Sequence, residues 1–276
     1  MSIKSELDDV CGAKYGLGSS AAVVTSVIAA ILHAHLTNKP PEKLLFKLAA
    51  IAHVKTQGSG SGADIAASSY GGFLCYSSFQ ADWLLDNLQT NLITELAHQD
   101  WPYVSIQPIS LPEDVYLCIG WTGSPASTAK LIPKVRVLKD SNVTLYEQFL
   151  HDSKEAVSLF LKGIAMGNRE TLFQGVQANR NALATLGENA GVAVETPLLK
   201  TLCDLAEQYG GVSKPSGAGG GDCGIAFMPD KQKADQLQEA WQQAGIKPLT
   251  IQPASHRDNI NMDTASDTAT KTSACF

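Results

Sequence analysis

Apolar residues recur with a helical period through most of this chain and alternate only in short stretches. The segment 21–36 is apolar apart from Thr25, Ser26, His33 and His35 and reads as a buried helix. It falls short of the ~20 apolar residues that a membrane span needs. Asn38-Lys39-Pro40-Pro41 stops it, and Pro41 starts a second helix with Leu44, Leu45, Leu48, Ala49, Ile51 and Ala52 on one side. A short helical piece over 65–69 follows Asp64, Gly71-Gly72 ends it, and 73–76 reads as a strand. Residues 81–99 are expected to be helical, anchored by Trp83, Leu84, Leu85, Leu88, Leu92 and Leu96. Strands are expected over 2–7, 103–109 and 114–120, the last two split by Leu111-Pro112.

Beyond residue 112 the pattern predicts helices at roughly 125–138, 143–166, 168–187 and 196–209. A strand near 211–214, a glycine-rich loop, a strand over 223–228, a helix over 230–244 and a strand over 247–252 follow. A β-loop-β-α-β run after a helical block predicts an α+β sandwich, with helices on one face of an antiparallel sheet. The domains are therefore placed at 1–112 and 113–252, with 253–276 a disordered tail on its Ser, Thr, Asp and Asn content. There is no internal repeat.

Composition narrows the partners. A chain of 276 residues, 44% hydrophobic and 17% charged, has enough apolar material for one large or two ordinary cores. A net charge of −6 argues against nucleic acid, which selects a basic face, but says little about a small anion. The six cysteines are scattered without CxxC spacing, as reduced buried thiols are. The start carries early acids and no apolar run, so neither a secretory leader nor a membrane is expected, and the location expected is cytoplasmic.

Three loops of small residues carry the candidate chemistry. The first is Gly16-Leu17-Gly18-Ser19-Ser20, running into the helix at 21–36. Ser19 or Ser20 is the expected N-cap, and a glycine loop feeding a helix N-terminus offers N–H groups and a partial positive charge to an anion. No Gly-Lys-Ser/Thr follows, so this is not the common P-loop. The second loop is Gly58-Ser59-Gly60-Ser61-Gly62-Ala63-Asp64, and the third is Lys214-Pro215-Ser216-Gly217-Ala218-Gly219-Gly220-Gly221-Asp222-Cys223. Each has a plain alternative: a capped core helix, a lone Asp as helix cap, a tight strand connection. Three together, two of them with an Asp, favour chemistry.

These loops, with Lys14-Tyr15, Leu45-Phe46-Lys47-Leu48 and Gly120-Trp121-Thr122, resemble the GHMP kinases, and among them most the bacterial phosphomevalonate kinases. The resemblance runs over roughly 3–252. It implies two domains, an N-terminal α/β domain (incomplete here) and a C-terminal ferredoxin-like α+β sandwich. It also implies transfer of the ATP γ-phosphate to 5-phosphomevalonate with Mg²⁺, the small-molecule acceptor being the partner. By that resemblance Gly16, Leu17, Gly18, Ser19 and Ser20 bind the nucleotide, and Ser20 touches Mg²⁺. Asp64 faces the reacting oxygen of the acceptor, and Lys14 stabilises charge on the transferred phosphate. Ser61, Gly217, Ala218, Gly219 and, more weakly, Ser127 with Lys130 hold the acceptor. Asp222 fixes its loop, and Lys55 is either a dipole partner or a ligand.

Two departures from the family pattern stand out. Gly12 occupies a position where many members have Pro, and only one strand has room ahead of the first loop. Members usually place several strands and a lysine motif there, so the chain is expected to be cut short at its start and to be weakly active or inactive. Alternatives are another GHMP kinase, such as one acting on mevalonate, and a non-catalytic fragment that binds anions.

Overall fold

The computed structural model describes residue 7, residues 12–126 and residues 128–251, the side chains of residues 128–130 excepted. The strand expected over 2–7 and the tail expected from 253 fall almost wholly outside the described residues. The chain forms two compact units. One is built on Leu17–Ser110, the other on Leu111–Thr250 together with the strip that ends at Gly16.

The first unit is mainly helical. Helices α1 (Ser19–His35), α2 (Glu42–Gln57) and α3 (Ala63–Tyr70) precede strand β1 (Phe73–Ser77), and α4 (Ala81–Thr90) and α5 (Ile93–His98) lead to β2 (Ser105–Ile109). The segment expected to be one helix over 81–99 breaks because Asn91 and Leu92 are extended. Strands β1 and β2 pair antiparallel, with Phe73 opposite Ile109 and Ser77 opposite Ser105. The core gathers on Phe46, whose ring meets Tyr70, Tyr76, Phe79 and Trp101 at centroid distances of 6.5, 6.2, 6.3 and 6.1 Å. Burying such a ring stabilises by about 1.5–3 kcal/mol, and edge contacts add about 0.5–1.5 kcal/mol.

The second unit carries β3 (Tyr116–Trp121), α6 (Thr128–Ser141), α7 (Val143–Met166), α8 (Arg169–Ala190), α9 (Pro197–Gln208), β4 (Val212–Pro215), β5 (Cys223–Met228), α10 (Lys231–Gln243) and β6 (Lys247–Leu249). Its four strands lie in the order β4-β5-β3-β6, every pair antiparallel. This is the ferredoxin-like order, and with the helical first unit it makes the chain α+β. Cys118, Ala226 and Met228 face α9 and α10, packing with Leu199, Leu202, Leu237 and Trp241. Phe227 points the other way and meets Phe160 of α7 at 5.8 Å, so the helices do not keep to one face as the pattern suggested.

Caps explain several boundaries. Asn142 and Asn168 each accept a backbone N–H three residues on, at the starts of α7 and α8. Thr196 does so for α9 with Pro197 at the first helical position, and Asp230 for α10. Helices α7 and α8 approach so closely that a Cβ on Gly163 would lie 2.3 Å from the Leu172 nitrogen, and one on Gly175 2.5 Å from the Phe160 nitrogen. Backbone touches backbone there, with no side chain between.

Candidate functional site

In the first unit the site grows from the start of α1. Gly18 is the N-cap, in the left-handed conformation (φ +73°), and no side chain caps the helix. This corrects the expected serine cap. A capping side chain must fold back from an extended residue, whereas Ser19 and Ser20 are already the first two helical residues. The first-turn N–H groups therefore stay without a side-chain cap at the positive end of a 17-residue helix. Ser20 is exposed and Ser19 half-buried.

The second loop is held from both ends. Gly58 ends α2 and donates to the Val54 carbonyl at 2.8 Å. The Ser61 carbonyl accepts from Tyr76 Oη at 2.6 Å and Ser78 Oγ at 2.9 Å, and Ser61 Oγ accepts from the Ala63 N–H at 3.3 Å. Gly62 is the N-cap of α3, and the Phe79 ring fills the place of its absent Cβ. Asp64 is thus the second helical residue and not a cap, which removes its plain structural reading. Among the described residues no hydrogen bond holds its carboxylate. Gly18 leaves that carboxylate its space: a Cβ there would lie 2.9 Å from Asp64 Cγ. Burial pushes the Asp64 pKa up, opposed by nearby His53. His53 was not foreseen from the sequence; its half-buried ring lies beside Gly60.

In the second unit the strip before Gly16 is fastened to the sheet. Tyr15 accepts from the Cys223 thiol through its carbonyl at 3.3 Å and from Lys247 Nζ through its hydroxyl at 2.8 Å. Its ring stands edge-on to Trp121 at 5.1 Å. Lys14, beside it, is exposed. The indole N–H of Trp121 is buried without a hydrogen-bond partner among the described residues.

The third loop divides into an open tip and a packed stem. Gly217 and Ala218 are exposed, Gly217 has φ +63°, and their N–H groups have no partner among the described residues. Gly219 is buried at φ +73°, with the Val194 carbonyl oxygen 2.4 Å from where its Cβ would be. Gly220 N–H donates to that carbonyl at 2.7 Å. Asp222 closes the stem at φ +52°, rare for a residue with a side chain. Its backbone accepts from Thr122 N–H at 2.8 Å and donates to Ser124 at 2.7 Å. Burial raises its pKa, and the Ala126 N–H bonded to its carboxylate works the other way. Gly16 makes room for this side chain, since a Cβ there would lie 2.3 Å from Asp222 Cγ.

The structure thus groups Gly18, Ser19, Ser20, Ser61 and Asp64 in the first unit, and Lys14, Gly16, Gly217, Ala218 and Gly219 in the second. Ser127 lies outside the described residues, as does the Lys130 side chain. Lys55 is exposed in the last turn of α2. Two buried lysines escaped the sequence. Burial lowers Lys214 on β4 to about 8. Lys47 donates to the Gln99 carbonyl in a cleft of about 250 Å³ lined also by Lys43, Tyr70 and Trp101, away from the glycine loops. A buried lysine looks like a surface lysine in sequence, so only the fold exposes it. Cys118, Cys203 and Cys223 are buried free thiols, and Cys75 is half-buried. Among the described residues no cluster of metal-ligating side chains occurs, and no helix is long and apolar enough to cross a membrane.

Known proteins share this arrangement. The sequence profile of the GHMP kinases N terminal domain matches residues 1–72, and that of GHMP kinases C terminal matches residues 160–247. A phosphomevalonate kinase of Streptomyces sp. (strain CL190) is 34% identical over 257 residues, covering 92% of this chain and 68% of that protein. The crystal structure of a Lin0012 protein from Listeria innocua superposes with a TM-score of 0.86 at 38% identity, covering 91% of this chain and 70% of the other. The Streptococcus pneumoniae phosphomevalonate kinase in complex with phosphomevalonate and AMPPNP superposes with a TM-score of 0.78 at 29% identity, over 88% and 70%.

Proposed function

Because the chain belongs to the GHMP kinases, we propose that it is a phosphomevalonate kinase: ATP and 5-phosphomevalonate give ADP and 5-diphosphomevalonate, a step towards isoprenoids. The observation that carries this reading is Asp64, a carboxylate free of capping duty in the first turn of α3 beside Gly18. An acceptor phosphate is already ionised near neutral pH, so the task is to orient it and organise charge. An oxygen of the acceptor phosphate bonds to the γ-phosphorus while the bond to the bridging oxygen of ADP breaks. Asp64 orients that oxygen and takes any proton it still carries.

The uncapped first turn of α1 suits the nucleotide phosphates, with Gly16 to Ser20 giving close backbone approach. Mg²⁺ neutralises charge on the transferred phosphoryl group when bound. The exposed Ser20 hydroxyl fits a cation of that kind, which usually takes one or two protein ligands with phosphate oxygens and waters. Lys14 is assigned to charge on the transferred group. The N–H groups of Gly217 and Ala218, without a partner among the described residues, suit the acceptor phosphate. Ser61, Gly219 and Ser127 are assigned to the acceptor by the family resemblance alone. The protein is assigned to the cytoplasm.

The test is ADP release from ATP and Mg²⁺ with 5-phosphomevalonate or mevalonate as acceptor. Whatever the rate, 5-phosphomevalonate is the acceptor expected to be preferred; preference for mevalonate, which relatives of 28% identity named mevalonate kinases suggest as the rival, overturns the reading.

A further inference from the structure

A second constellation of charge lies in the same unit as the third loop but forms no part of it. Arg180, on α8, is 8% exposed. Its Nε and Nη2 donate to the two carboxylate oxygens of Glu195 at 2.7 and 2.9 Å, a bidentate pair. Nη2 also donates to Asp204 at 3.0 Å, and Nη1 to Glu207, both on α9. Lys200 adds a second cation on Asp204. Burial works against the guanidinium charge, but the bonds to Glu195 and Asp204 outweigh it and raise the pKa above the ordinary arginine value.

Arg180 has two kinds of partner. Asp204 and Glu207 belong to a helix that its own packing already fixes, with Leu199, Leu202, Cys203 and Ala206 all buried. Glu195 belongs to the irregular segment between α8 and α9, which lacks a ladder of its own. The residue before it, Val194, is the one whose carbonyl takes the Gly220 N–H and whose backbone stands against Gly219. A path of bonded and packed neighbours therefore runs from the guanidinium through Glu195 and Val194 to the stem of the third loop.

We propose that Arg180 is a positioning residue for the third glycine loop, acting through Glu195 and Val194. It fixes where the Gly217–Ala218 tip presents its N–H groups while touching no reactant itself. Arg is the fitting residue, since its planar fork locks both oxygens of one carboxylate where Lys supplies a single point charge. The proposal rests on the kinase reading only where it concerns the acceptor; the mechanical link is independent of it.

The experiment compares the wild-type chain with Arg180→Lys, Glu195→Gln and Glu207→Gln. Amide hydrogen exchange is read over 216–221 and, in parallel, KM and kcat with 5-phosphomevalonate. Glu195→Gln and Arg180→Lys are expected to speed exchange over 216–221 by about tenfold, and to raise the acceptor KM by ~10–100-fold with a smaller fall in kcat. Glu207→Gln removes an ion pair from the same arginine but from α9, and should leave loop exchange and KM within about twofold, whatever it does to melting. Unchanged loop exchange in Glu195→Gln overturns the proposal, as does an equal effect of Glu207→Gln, which would reduce Arg180 to a scaffold contact. Should Arg180→Lys not fold, the isosteric Glu195→Gln decides alone. Preference of the wild-type chain for mevalonate over 5-phosphomevalonate would count against the kinase reading and leave the exchange comparison standing to decide.

Discussion

Two glycine–aspartate pairs face the same steric problem and resolve it differently. Gly18 gives Asp64 its space in the first unit, and Gly16 gives Asp222 its space in the second. In both, a Cβ would collide with a carboxyl group that burial pushes towards its protonated form. The difference is in what surrounds the carboxylate. Asp222 sits at φ +52° with its backbone tied to Thr122 and Ser124 and its side chain bonded by Ala126. Asp64 sits in regular helix, and among the described residues no hydrogen bond holds its carboxylate. One aspartate is committed to architecture, whereas the other is kept available. Availability, more than residue type, separates a candidate catalytic carboxylate from a structural one.

The sharpest way to break this contrast is Asp64→Asn. Turnover should fall by roughly 10²–10⁴ with nucleotide affinity little changed, as loss of a positioned acid–base group implies. Steady-state kinetics and ATP titration read the two effects, and near-normal kcat would put both aspartates in one class. Next in size is Gly219→Val. Positive φ costs a side chain about 1–2 kcal/mol, and here its Cβ also meets the Val194 carbonyl. The expected result is a lower melting temperature and a raised acceptor KM, whereas unchanged constants would mark the loop as a mere connection.

Asp222→Asn comes third. Asparagine tolerates the left-handed region and can still accept from Ala126, so kcat should change less than about tenfold. A loss equal to that of Asp64→Asn would erase the distinction drawn between the two. The smallest effect is on stability. A carboxyl group whose folded pKa is raised binds its proton more tightly in the folded state, so stability falls as pH rises through the interval between the unfolded and the raised folded pKa. The cost is fully present only above the raised folded pKa. Asp64→Asn should therefore melt slightly higher than wild type at pH 7, and the gap should close in acid below both pKa values. Melting curves at several pH values check this; a mutant that melts lower at pH 7 would mean that Asp64 has a stabilising partner after all.

The sequence announced the order of elements and the three loops, because helical periodicity, Pro41, Gly58 and Gly71 act over a few residues. It misplaced the cap of α1 at Ser19 or Ser20, since a serine before a helical run looks the same whether it is N-cap or first residue. It could not announce Gly16 against Asp222, whose meeting spans two hundred residues of chain. Arg180 was invisible for a related reason: Asn179-Arg180-Asn181 reads as a solvated helix face until Glu195 and α9 close over it. Lys47 and Lys214 share that fate.

The seam between α7 and α8 has a consequence for how such a chain can diverge. Along the outer side of α7, Val143, Leu150, Val157 and Met166 are exposed, and a change there costs roughly half a kcal/mol or less. At Gly163 and Gly175 the neighbouring helix backbone occupies the place of the first side-chain carbon, so the permitted alphabet shrinks to a single letter. A library of random substitutions through this hairpin, sorted for soluble protein, should fill the outer positions with almost any residue and return the two seam positions unchanged. Drift in this arm is therefore one-sided, free on the surface and frozen where the two helices meet.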